Sequence, residues 1–243
     1  MASSDTAAGR LHQLLQFVGD PRRREVPLRV TLGALYDLDP NDRQDVLRFV
    51  VAAIDLPAQA EASVRALPNQ DHDLLLRWVD PVRAAMNVIH QIDQATVSVA
   101  AHYNEAHLYA LEVAADQVAR NHPSAVLPDD ALSTANERVA ELLDALDQLD
   151  DGDVRALLVR HASALQHALR LYRVTGADDV RDALVDAALA VDAVGRRDVD
   201  DAENAAAKSF AGVIALVANG LTIAGVAYQL APAINAAIRL ING

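Results

Sequence analysis

Residues 209–238 read SFAGVIALVANGLTIAGVAYQLAPAINAAI, and apart from the phenol of Tyr228 nothing in them ionises. The whole chain carries a formal net charge of -13. A helix apolar on all sides has two physical homes: a bilayer, whose crossing takes about 20 residues, or the interior of a fold. Asn219, Gly220 and Thr222 in mid-run weaken the membrane reading, and Pro232 predicts one helix to Ala231 with a short second piece after it. Gly212, Gly220, Ala224 and Ala231 fall close to one face, which predicts a small-residue seam for close contact with lipid-embedded or partner helices. Working upstream, the polar stretch 196–205 predicts a hinge. The expected organisation is therefore a helical bundle over 1–195, the hinge, and a hydrophobic segment over 206–243.

With 243 residues the chain can bury a sizeable core. Apolar residues make up 52% but aromatics only 4%, so the apolar content is mostly Ala, Leu and Val, and closely packed helices are favoured over a β-sandwich. The predicted class is all-α, a multi-helix bundle. Acidic balance argues against nucleic acid, because phosphate binding needs clustered Lys and Arg. The one basic run, Arg22 to Arg24, reads as a solvated turn after Pro21. Without cysteine there can be no disulfide, thiolate metal site or cysteine nucleophile. The opening MASSDTAAGR lacks a signal-peptide layout, so a cytoplasmic location is expected.

Asp20-Pro21, Asp39-Pro40 and Asp80-Pro81 punctuate the first third. Asp accepts from free helix-start N–H groups and Pro has none to leave unpaired, which predicts helix starts near Pro40 and Pro81. Leu11, Leu14, Leu15 and Val18 mark the buried face of a first helix over about 5–17, and Leu47, Val50, Val51 and Ile54 that of the helix after Pro40. From Val82 to Asn121 there is neither Gly nor Pro. A seam through Ala85, Ile89, Ile92, Thr96, Val99, Tyr103, Ala106, Ala110 and Val113 predicts one long central helix of about 60 Å, with a break near Asn104 as the alternative. Beyond Pro128, Val139, Leu142, Leu143, Leu146 and Leu149 form the next stripe. A hairpin then places Val154, Leu157, Leu158, His161, Leu165, Ala168, Leu169 and Tyr172 on one face, turns at Gly176 and returns through Val180, Leu184, Ala187, Val191 and Val194.

The stretch ALRLYRVTGADDVRDALVDAALAV, residues 168–191, resembles a single helix-turn-helix of the tetratricopeptide-type repeats found beside bacterial CHAT-type protease domains. Residues 129–240 resemble an uncharacterised family of bacterial helical proteins, through Arg160, His161, Tyr172, Arg173, Gly176, Ala177 and Arg181. The resemblance implies a helical fold and a mobile-element or defence setting, with no catalytic residues attached.

No constellation of residues specifies chemistry. His90 with Asp93 and His102 with Glu105 are i,i+3 pairs suited to half a metal site each, but the two histidines sit about 120° apart around one helix and cannot converge. Ser163 lies on a different helical face from His161, and no nucleophile-elbow or phosphate-loop pattern occurs. The paired aspartates at 129–130, 150–151 and 200–201 read as helix caps and turns, lacking the spacing of a calcium loop. The expectation is a protein that is not an enzyme, with no catalytic residue, no cofactor and no metal. Its segment 206–243 meets a membrane, as in a bacterial toxin-type or defence effector at the inner face of the cell membrane. The competing expectation is an interaction scaffold that buries the segment in its own core, in a homo-oligomer or against a partner protein.

Overall fold

A computed structural model describes residues 6–122, 125–150, 152–197 and 199–221. Among these the named elements are helices, and Pro27 and Ala95 form an isolated bridge. The all-α class is the observed one. The chain divides into two units: Met1–Pro123 with Arg173–Gly176, and Ser124–Tyr172 with Ala177–Gly243.

The first unit is arranged around its first helix, α1 (Ala7–Val18). Thr6 starts it by accepting from the Gly9 N–H at 3.0 Å, satisfying one of the free amides of the first turn. Ala8, Leu11, Leu14, Leu15 and Val18 are sealed from solvent, and the polar Arg10 and His12 are buried beside them. Around α1 pack α2 (Leu28–Tyr36), α3 (Arg43–Ile54), α4 (Leu56–Arg65), the single turn α5 (His72–Leu75), α6 (Val79–Val88), the single turn α7 (Val97–Ala100) and α8 (Glu105–Asn121), with α2, α4, α7 and α8 touching α1 directly. The central helix of this unit is therefore α1.

The expected long helix over 82–121 is three helices. Residues 91–97 give their backbone groups to residues 23–29 instead: Leu28 N–H donates to Gln94 O, Arg29 N–H to Ile92 O, Thr96 N–H to Val26 O and Val97 N–H to Arg24 O, all at 2.8–3.2 Å. The Thr96 hydroxyl adds a bond to Arg23 O at 2.6 Å. At Asn104 a second break is fixed by a reciprocal cap, in which Asn104 Oδ1 accepts from His107 N–H and His107 Nδ1 accepts from Asn104 N–H. The stripe through Ala85, Ile89, Ile92, Thr96 and Val99 is buried as expected. Past the break the helical phase resets, and α8 turns Leu111, Ala114, Ala115 and Val118 inward.

Helix α3 corrects a second expectation. It starts at Arg43, past Pro40, because Asp42 and not Asp39 caps it, accepting from the N–H groups of Gln44 and Asp45. Phe49 meets Tyr36 with ring centroids 3.9 Å apart and planes tilted by 41°, and Val46, Phe49, Val50 and Ala53 face the core. Leu47, Val51 and Ile54 are left on the outside. Pro81 lies within the first turn of α6, which begins at Val79. The basic run closes a short 3-10 turn over Pro21–Arg23, capped by Asp20, with Arg23 laid 4.0 Å over the ring of Phe17.

The second unit holds α9 (Asp129–Leu146), α10 (Asp153–Thr175, its last turn counted with the first unit), α11 (Ala177–Gly195) and α12 (Asp201–Gly220). One apolar cluster joins all four: Leu132, Val139, Leu142 and Leu146 from α9; Leu158, Leu165 and Leu169 from α10; Leu184, Ala187 and Val191 from α11; and Phe210, Ile214 and Val217 from α12. Residues 196–205, read from sequence as a hinge, carry the Arg196–Asp192 ion pair at 2.6 Å and the start of α12. That start is a capping box: Asp200 Oδ1 accepts from Glu203 N–H at 2.7 Å while Glu203 Oε2 accepts from Asp200 N–H at 3.3 Å.

Candidate functional site

The described part of the charge-free run, Ser209–Leu221, is the second half of α12 and its last residue. Phe210 and Ala211 are fully covered, and Ile214, Val217, Ala218 and Leu221 expose 2% or less. They pack against α9 and α11. Burying a side chain of the size of Phe210 stabilises a fold by about 1.5–3 kcal/mol, so this face is a principal contributor to the unit. The outward face carries the small or polar Ser209, Gly212 and Asn219 together with one exposed apolar side chain, Leu216. Among the described residues no helix is long and apolar enough to cross a membrane.

Of the expected seam, Gly212 and Gly220 lie among the described residues, and their surroundings differ. A Cβ placed on Gly212 would meet nothing within 4 Å, whereas one on Gly220 would come 2.9 Å from Leu127 Cδ1 and 3.2 Å from Ala131 Cβ at the start of α9. Gly220 is thus a close-approach glycine inside the unit, and Gly212 faces open space. Ala224 and Ala231 lie outside the described residues.

The hairpin residues are placed by structural needs. Tyr172 is buried and its hydroxyl accepts from Leu127 N–H at 2.6 Å, anchoring the segment before α9. Gly176 has φ +84, the left-handed conformation that ends α10 and that side chains resist. Ala177 begins α11, and Arg181 pairs with Asp178 at 2.9 Å and Asp182 at 3.3 Å along its exposed side. Arg160 is exposed; His161, on the flank of α10, is held below its ordinary basicity by desolvation first and then by Arg160, against the pull of Asp186.

Sequence reasoning missed the buried polar pair on α1. Arg10 lies in the first unit with Nε donating to Val174 O at 2.7 Å and a guanidinium N–H donating to Thr175 O at 3.0 Å, so it closes the last carbonyls of α10. Its guanidinium also occupies the space that a Cβ on Gly176 would enter. His12, 8% exposed, is driven toward its neutral form by burial, opposed by Glu112 and Asp116 one turn apart on α8. Both residues sit in a helix whose other inward positions are apolar, and spacing alone cannot distinguish a buried arginine from a solvated one.

Of the candidate metal ligands, Asp93 is engaged elsewhere. Asp93 pairs with Arg29 at 3.3 Å and with Arg43 at 2.7 Å, while His90, His102 and Glu105 are exposed. Among the described residues no group of three or more His, Asp or Glu side chains is placed to hold a metal ion. Ser163 is exposed and remains off the face of His161. The arrangement offers packed helix faces and salt-bridged surfaces. No protein-family model, curated protein or solved structure matches the chain.

Proposed function

We propose that this is a non-enzymatic helical scaffold that acts through protein contacts and uses the first part of its hydrophobic C-terminal segment as core. The observation that carries the reading is the burial of Phe210 to Leu221 among α9 and α11. A helix committed to that core is not free to enter a bilayer without unfolding the unit. Moreover, Thr222 to Ala231 supplies only about half of the roughly 20 residues a span requires before Pro232 interrupts it. The hairpin likeness to tetratricopeptide-type units supports the same contact-making role in a bacterial defence setting.

Membrane association through residues 222–243 is the second reading, favoured by their single charged side chain, Arg239. Flotation with phospholipid vesicles separates the two. On the scaffold reading the full chain stays at the bottom of the gradient, and so does a chain ending at Leu221. Flotation of the full chain but not of the shortened one would overturn the scaffold reading in favour of a toxin-type or membrane-anchored protein.

A further inference from the structure

Helix α3 presents an exposed face on which each turn carries an apolar side chain. Leu47, Val51 and Ile54 expose 39%, 66% and 45% of their surface at i, i+4, i+7 spacing, and Gln44, Arg48, Asp55 and Ala58 are the exposed residues beside them. Single exposed apolar side chains are ordinary, but three in register on one helix form a continuous stripe of the kind that marks a contact. The charges beside it are of opposite sign and unspent. Arg43 is committed to Asp93, whereas Arg48 and Asp55 have no ion pair or hydrogen bond from their side chains among the described residues.

Arg48 and Asp55 stand seven residues apart, hence on the same side of the helix two turns from each other. An antiparallel copy of α3 laid on the stripe brings each Arg48 beside the other copy's Asp55. The midpoint of Leu47 and Ile54, Val51 itself, and the midpoint of Arg48 and Asp55 all fall within one residue along the helix, about 1.5 Å. A single two-fold axis at Val51 therefore satisfies the apolar and the charged register together, which is the self-complementarity an isologous interface needs. We propose that the α3 face binds a second copy of this chain, pairing antiparallel about Val51 with two reciprocal Arg48–Asp55 contacts. A partner with an unrelated surface would have no reason to match this internal symmetry. The proposal builds on the reading of the protein as a contact-making scaffold, but a monomeric chain that still fails to float with vesicles would sink the pairing and leave that reading standing.

Sedimentation equilibrium of the full chain tests it, with circular dichroism as the check on folding. The wild type is expected to dimerise with concentration, and Val51→Asp, at a position already in solvent, to remain monomeric with an unchanged helical signal. Arg48→Asp and Asp55→Arg are each expected to weaken the dimer several-fold, and the combined R48D/D55R swap to recover most of the loss. Because the chain has no cysteine, Val51→Cys adds a direct reading: oxidation should give a disulfide-linked dimer through the two-fold axis. A wild type that stays monomeric, a dimer that survives Val51→Asp, or a double swap no better than either single change would each overturn the proposal. So would a monomer whose α3 face is protected from labelling until residues 222–243 are removed.

Discussion

Gly176 and Arg10 occupy one space in the first unit: the glycine turns left-handed at φ +84, and the arginine fills the room beside it while donating to the carbonyls of Val174 and Thr175. Gly176→Ala is accordingly expected to lower stability by about 1–3 kcal/mol, from the strained φ and displacement of the guanidinium, and thermal unfolding measures it. His12 gives a dependence on pH. Burial holds it below its ordinary value of 6.5, so in the folded chain the neutral form is favoured. As pH falls through 6.5 the unfolded chain takes the proton first, stability declines, and the decline ends once the lower folded-state value is passed. Glu112 and Asp116 narrow that window because they favour the proton. Between about pH 7.5 and 5.5, His12→Gln is expected to lose less melting temperature than the wild type. An equal loss in both would remove His12 from the account. Neither Arg10 nor His12 was legible in sequence, whereas Gly176 was: the leucine spacing announced α1, but only the elements packed around it make its polar positions interior.

The elements that periodicity located correctly are those whose neighbours agree with the local signal. Gly176 ended its helix, and Val180, Leu184, Ala187, Val191 and Val194 of α11 face inward as their spacing indicated. Two elements departed from their patterns for non-local reasons. Residues 91–97 leave the helix because the backbone of residues 23–29 offers them partners, and no reading of 82–121 alone contains that offer. Helix α3 turns Val46, Phe49, Val50 and Ala53 inward, with Phe49 against Tyr36, so Leu47, Val51 and Ile54 of a stripe that spacing marks as core are displayed instead. In α12 the two glycines separate the possible roles of the small residues. Gly212→Ala is expected to stabilise the protein by up to about 1 kcal/mol, because a methyl there gains helix propensity and meets nothing. Gly220→Ala is expected to destabilise it, because Leu127 and Ala131 must move. Denaturant titration of the pair checks both signs; destabilisation by Gly212→Ala would restore a contact at that face.

At the scale of the molecule, charge and composition were enough to establish an all-helical chain, yet they left residues 209–221 suspended between lipid and core. What decides their environment is whether α9 and α11 provide a matching face, and that is a property of the assembled unit. Ending the chain at Leu221 is expected to preserve the cooperative unfolding of the second unit, whereas ending it at Ala205 removes Phe210, Ile214 and Val217 from the cluster and should abolish it, as followed by calorimetry. Amide hydrogen exchange of Phe210 to Leu221, in the full chain without detergent or lipid, tests the central claim most directly. Protection matching that of α11 is the expected result. Rapid exchange that slows only when phospholipid vesicles are added would contradict it.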